Sequence, residues 1–282
     1  MSPLTAATAV LFAAAGALVA LVWLGYPLLL CLWPRPPAAR PALAVPPDTL
    51  PAEPGLVSII IAAHNEAAVI GPRLANLAEL ETPAGGWEIL VAEDGSTDGT
   101  AAAARAAAAL LAARRLELRV TVLDAPRRLG KAAALNRAAA AARGQIFIFS
   151  DANNRFAPGA LRALLAPFAD PAVGAVAGWK TVAAGQGVGG GESVYWRFER
   201  WLMGQEDRRG WVVNAPGEIL ALRRECFRPL PTDAVVNDDL CLALQVLAQG
   251  RRIAFAPAAR SLEPPAATAA EEWRRRRRIA AG

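Results

Sequence analysis

From Met1 to Pro34 the chain carries no charged side chain, and the apolar run from about Ala7 to Leu32 is long enough to cross a hydrocarbon core as one helix. Proline then recurs eight times between Pro34 and Pro54, removing backbone donors and favouring extended chain, so residues 34–55 read as a semi-rigid spacer. Beyond it, short apolar runs alternate with helical stripes. Val57 to Ala63 is an Ile-rich run bounded by Pro54 and Gly55 on one side and polar residues on the other, which predicts a buried parallel strand. Ile70, Leu74, Leu77 and Leu80 share one helical face. Trp87 to Val91 predicts a second strand, and the alanine-rich stretch after Thr100 a helix. Alternation at Leu116, Leu118, Val120 and Val122 predicts a half-buried strand, and a helix over about 131–142 leads into a buried strand over 146–149. Such alternation implies an α/β fold, a Rossmann-like, mostly parallel sheet with helices on both faces, preceded by one transmembrane helix.

The chain therefore divides into an anchor over 1–33, a proline-rich linker over 34–55 and one domain over 56–282, which is as much as 282 residues allow. A cleaved signal peptide would carry a basic start and a short apolar centre, and neither Lys nor Arg precedes the span. The first basic residues, Arg35 and Arg40, follow it, so the positive-inside bias places the domain in the cytoplasm at an inner or plasma membrane, with the N-terminus outside. Cys31, Cys226 and Cys241 form neither a metal-type spacing nor an even disulfide framework. The formal charge of +5 is matched by the run Arg274 to Arg278, so the rest of the chain is nearly balanced and a nucleic-acid-binding surface is not indicated.

In doubly wound sheets ligands sit at the carboxyl ends of the strands, and the polar clusters fall there. His64, Asn65 and Glu66 close the first strand. Glu93 to Thr100 follows the second, combining carboxylates, two glycines and hydroxyls before a helix; Asp98 or Thr97 would cap that helix, leaving Asp94 to accept hydrogen bonds from a ligand such as a nucleobase. Gly130 and Lys131 open a helix after Arg127 and Arg128, a setting that suits phosphate or plain solvent, without the features of a Walker loop. Asp151 and Asn153 follow the strand at 146–149, where alternation would point both to one side as oxygen ligands for a hard cation. Asp238 and Asp239 precede an apolar helix, either as dipole-stabilised acids or as a general base.

In this order the four clusters resemble family 2 glycosyltransferases of the GT-A fold, over roughly Val57 to Ile279. The elements that carry the resemblance are Asn65 and Glu66, the loop Asp94 to Thr100, Gly130 and Lys131 with Ala134, Leu135 and Asn136, Asp151 to Asn153, and Asp238 with Asp239. The resemblance implies that Asn65, Glu66, Asp94, Lys131 and Asp151 bind a nucleotide-sugar donor, in the first place a UDP-sugar. It places Asp151 and Asn153 at the family's Asp-x-Asp metal motif, with an amide in the second position, and implies Mg or Mn as cofactor. Asp239 matches the family's base, with Asp238 in the Glu position of its Glu-Asp element. The implied chemistry is a single inverting displacement onto a lipid or glycan acceptor at the membrane.

Processive members carry a Gln-x-x-Arg-Trp motif where this chain has Glu271, Glu272, Trp273 and the arginine run, so a non-processive enzyme is expected, with Arg275 and Arg278 near phosphate or acceptor unless the run is a solvated or membrane-surface face. Similar members commonly continue into further membrane helices, so chain beyond Gly282 is expected. The segment Trp211 to Leu222 looks like the family's acceptor-side loop, while Trp196 and Trp201, with Tyr195 and Phe198, suit core or membrane-interface packing. A catalytically degenerate nucleotide-binding or scaffolding relative is the alternative, motivated by Asn153. A nucleotidyltransferase is disfavoured because its Gly-rich, Lys-containing first loop is absent.

Overall fold

The computed structural model describes residues 3–34, 55–114, 118–182, 194–232 and 237–263, together with positions 273 and 277. The apolar N-terminus forms one continuous helix: α1 (Pro3–Ala20), a wider π turn (Leu21–Gly25) and α2 (Tyr26–Leu32). Among the described residues it alone is long and apolar enough to cross a membrane, over Ala7–Leu32. Most of the linker expected over 34–55 lies outside the described residues.

The domain then runs β1 (Val57–Ala63), α3 (Ala67–Ala78), β2 (Trp87–Glu93), α4 (Thr100–Arg114), β3 (Arg119–Leu123), α5 (Lys131–Ala141), β4 (Ile146–Asp151), β5 (Arg155–Phe156), α6 (Ala160–Leu165), β6 (Val173–Val182), α7 (Val194–Asp207), β7 (Leu220–Arg223), α8 (Asp238–Ala248) and β8 (Arg252–Glu263). The strands form one sheet in the order β3-β2-β1-β4-β7-β6-β8-β5. β1 explains the first half of it. Ile59 and Ile61 enter the core cluster shared with α3 and α4, whereas Ile60 enters the opposite one with α5, as a period of two demands of a strand covered on both faces.

The parallel half, β3-β2-β1-β4, agrees with the sequence expectation. The other half is mixed, because β7 runs antiparallel to both β4 and β6. Phe149 pairs with Leu220 and Ile146 with Arg223, so the start of β7 lies beside the carboxyl end of β4. That reversal carries the loop before β7 to the ligand-binding edge of the sheet. At the opposite edge Ser58, Glu88 and Arg143 lock the strand starts: Ser58 Oγ and the Arg143 N–H both donate to Glu88 Oε1, at 2.8 and 2.7 Å.

Candidate active site

The carboxyl ends of β1, β2 and β4 are level, since Ala63 pairs with Glu93 and Ala62 with Asp151. The loops after β1 and β2 are sewn together. His64 Nδ1 donates to the Asp94 carbonyl at 2.8 Å, which fixes the tautomer. Asn65 adopts a left-handed φ of 56°, tolerated by this residue type, and its Oδ1 accepts the Thr97 N–H at 3.0 Å. Asp98 accepts the Thr100 N–H at 3.0 Å at the start of α4 and reaches across to the Ala67 N–H of α3 at 3.1 Å. The Glu66 N–H donates to Thr100 Oγ1 at 2.8 Å. The Asn65 amide, expected on the donor, is thus engaged within the loops.

Asp94 is not spare. It is 3% exposed, and its two carboxylate oxygens accept the N–H groups of Leu129 at 2.7 Å and Gly130 at 2.9 Å. It therefore sets the start of α5 and aligns whatever that helix presents. The neighbouring Gly95, at φ 63°, has the 127–128 peptide directly against it: a Cβ there would come 2.3 Å from Arg127 C and Arg128 N. Only glycine fits.

Lys131, the first residue of α5, is brought by this arrangement to the end of β4 and the start of α8. Its Nζ lies 3.1 Å from Asp151 Oδ1 and 3.0 Å from Asp238 Oδ2. Desolvation pulls the ammonium down, but the two carboxylates outweigh it and hold the pKa above the ordinary lysine range. β4 ends at Asp151, so the strand alternation assumed for Asn153 does not extend to it. Asn153 is exposed in the following turn, and the buried amide is Asn154, whose Nδ2 donates to the Glu218 carbonyl at 2.7 Å and to Ser261 Oγ at 2.8 Å.

Asp239 lies in the first turn of α8. Its Oδ1 accepts the Leu240 N–H at 2.8 Å and its Oδ2 the Gly217 N–H at 3.3 Å. Burial, and after it the charge of Asp238, raise its pKa despite these bonds. Gly217 approaches so closely that a Cβ would stand 3.0 Å from the Asp239 Cβ. Beside it, Glu218 pairs with Lys180 at 3.1 Å, and Lys180 also meets Glu263 at 2.5 Å; burial pushes Glu218 upward.

One residue escaped sequence reasoning. Arg73, 1% exposed, donates to Asn76 Oδ1 and Ser150 Oγ, both at 2.7 Å, and its guanidinium lies 4.2 Å from the centre of the Phe156 ring. Burial holds its pKa well below the ordinary range, opposed by the charge of Asp151. The signal was its position inside the apolar stripe of Ile70, Leu74 and Leu77. Arg275 and Arg278 lie outside the described residues.

The donor set suits a hard divalent cation only in part. Asp151 faces a positive charge, the Lys131 ammonium, and Asn153 offers a carbonyl oxygen from an exposed turn. Among the described residues no three His, Cys, Asp or Glu side chains are grouped to hold a metal. Further oxygens would have to come from the ligand, as phosphates do.

Residues 58–228 match the family described as Glycosyl transferase family 2. The chain belongs to it. Beta-monoglucosyldiacylglycerol synthase of Nostoc sp. (strain PCC 7120) is 30% identical over 80% of this chain and 48% of its own length. The probable glycosyltransferase YdaM of Bacillus subtilis is 30% identical over 80% of this chain and 54% of its own length. The chain thus spans about half the length of the curated relatives it matches. Among solved structures, the mannosyltransferase PcManGT of Pyrobaculum calidifontis, in complex with GDP-Man and Mn2+, superposes with a TM-score of 0.70 at 30% identity, over 94% of this chain and 72% of that one. Glucosyl-3-phosphoglycerate synthase of Mycobacterium tuberculosis shares the fold at a TM-score of 0.56 and 22% identity, over 80% and 78%. The mixed sheet is that of the GT-A fold.

Proposed function

We propose that the chain is a membrane-anchored, inverting hexosyltransferase that moves a sugar from a nucleoside diphosphate to a lipid acceptor at the cytoplasmic membrane face. The observation that carries this is the bridge from Asp151 through Lys131 to Asp238, which joins the end of β4 to the first turn of α8, where the Asp239 carboxylate has a raised pKa. In the forward direction Asp239 takes the proton of an acceptor hydroxyl as that oxygen bonds to the anomeric carbon. The bond from that carbon to the diphosphate breaks on the opposite face, and configuration inverts. Lys131 faces the charge that accumulates on the leaving diphosphate. A divalent cation, Mg or Mn, held by Asp151 and Asn153 would neutralise part of the same charge.

A lipid acceptor is supported by the apolar helix and by the name of the Nostoc relative, a glucosyldiacylglycerol synthase. A UDP-sugar is the first donor to test. GDP-mannose is the second, because the solved relative at 30% identity holds it. Full-length protein in detergent, given UDP-glucose or GDP-mannose with diacylglycerol and Mn, should release the nucleoside diphosphate, and Asp239→Asn should abolish release while nucleotide binding persists. Folded protein that binds neither UDP nor GDP would point instead to the degenerate scaffold.

A further inference from the structure

α7 presents three different faces. Its inner face carries Met203 and Asp207, both buried, and Trp196, which packs edge-on against Trp179 at 5.9 Å. A second face docks the N-terminal helix. Trp23, in the π turn, stacks on Phe198 at 5.6 Å and meets Tyr195 at 6.1 Å, and Tyr26 donates to Glu206 at 2.7 Å. At the end of α2 Trp33 meets Trp211 at 5.8 Å. The third face borders a cleft of about 440 Å³ against β8, lined by Arg197, Arg200 and Trp201 of α7 and Arg208 of the turn after it, with Phe255 and Pro257 opposite. Positions 197, 201 and 204, at spacings of four and three, make one stripe along the helix, and Arg208 follows in the turn beyond it.

The depth of this cleft follows from the anchor. The roughly 20 helical residues that end at Val22 rise about 30 Å, enough for the hydrocarbon core. Trp23 and Tyr26 then fall in the interfacial zone, where aromatic side chains collect, and Trp33 lies about 15 Å beyond Trp23 along the helix. Because α7 is pinned to those residues, its remaining outer side chains, exposed Trp201 among them, share that depth. The acidic Glu199 and Glu206 lie on the anchor side of the helix; the arginines line the cleft. The carboxylate on the cleft wall, Asp207, is buried, accepts the Phe255 N–H at 2.9 Å and feels the charges of Arg252 and Arg208, so the three arginines of the lining outnumber its one acid.

The geometry points to a headgroup site for an anionic phospholipid in this cleft, with Arg197 and Arg208 on the phosphate and Trp201 against the glycerol and upper acyl chain. Charge complementarity and interfacial depth select a lipid over a soluble anion, since the cleft opens beside a helix already committed to the bilayer. The inference rests on the anchored reading of the chain. It adds a bound lipid distinct from both donor and acceptor, touching none of the residues placed in the reaction.

The test uses full-length protein in detergent, with bound lipid counted by native mass spectrometry after exposure to equal phosphatidylglycerol and phosphatidylcholine. Wild type should retain phosphatidylglycerol preferentially, and Arg197→Gln with Arg208→Gln should lower that preference about tenfold or more. Arg105→Gln, on α4, should leave it unchanged. Equal retention of the two lipids by wild type, an unaltered preference in the double variant, or displacement of phosphatidylglycerol by millimolar inorganic phosphate would overturn the site. Flotation with pure phosphatidylcholine vesicles separates the two readings: protein that floats but shows no preference sinks only the cleft, whereas protein that stays soluble without detergent sinks the anchor as well.

Discussion

The Lys131 ammonium stands 3.1 Å from an oxygen of Asp151, the carboxylate at which a divalent cation would bind. Two cations competing for one carboxylate disfavour each other, whereas both favour a diphosphate. Lys131→Met should therefore tighten Mn binding to nucleotide-free protein a few-fold while weakening UDP or GDP binding by about tenfold. Manganese paramagnetic resonance and calorimetry on the same samples would read the two effects, and a fall in both affinities would refute the competition.

As the proposed base, Asp239 would act only when ionised, and its pKa is raised by burial and then by Asp238. As pH falls through that raised value the carboxylate takes a proton and turnover declines. The acid limb of kcat/KM should accordingly lie above the ordinary carboxylate range. Asp238→Asn removes one of the charges that disfavour ionisation, so the limb should move to lower pH. A pH–rate profile unchanged in that variant would detach the limb from Asp239.

Gly217 supplies an N–H to Asp239 with no room for a side chain between them. Gly217→Ala should displace the carboxylate by a few tenths of an ångström and lower kcat by about tenfold or more, since reacting geometry tolerates little error. Nucleotide affinity should be unaffected. Calorimetry and initial rates on the one variant distinguish this from a general loss of fold.

Arg73 joins α3 to the end of β4 through Ser150 and stacks on Phe156. Arg73→Met keeps much of the volume but strips Ser150 and Asn76 of a charged donor in the core. The expected loss is about 2–4 kcal/mol of unfolding free energy, read as a shift in the urea midpoint. A midpoint within error of wild type would show that the buried charge costs as much as its bonds return.

The parallel half of the sheet was legible because β1, β2 and β4 are short apolar runs, β3 an alternating one, and helical stretches separate them, a pattern that permits few arrangements. The direction of β7 was not, since the run Ile219 to Leu222 is apolar whichever way it points and only its partners decide. Asp94 was visible as an unusual residue, but its partners lie thirty-five and thirty-six positions away and leave no local trace. Asn153 was assigned by extending strand periodicity beyond the residue at which the strand stops. Phe198 gave an aromatic signal, but its stacking on Trp23 depends on a π turn that local propensity does not reveal.

The antiparallel entry of β7 divides the molecule into two heritable parts. Residues proposed for the donor all come from one unbroken stretch ending at Asp151, and those around the proposed base arrive later in the chain, across a seam of four paired residues between β4 and β7. Any exchange of the later part must keep Asp238 in step with Lys131 and Glu218 with Asn154, because these contacts cross the seam.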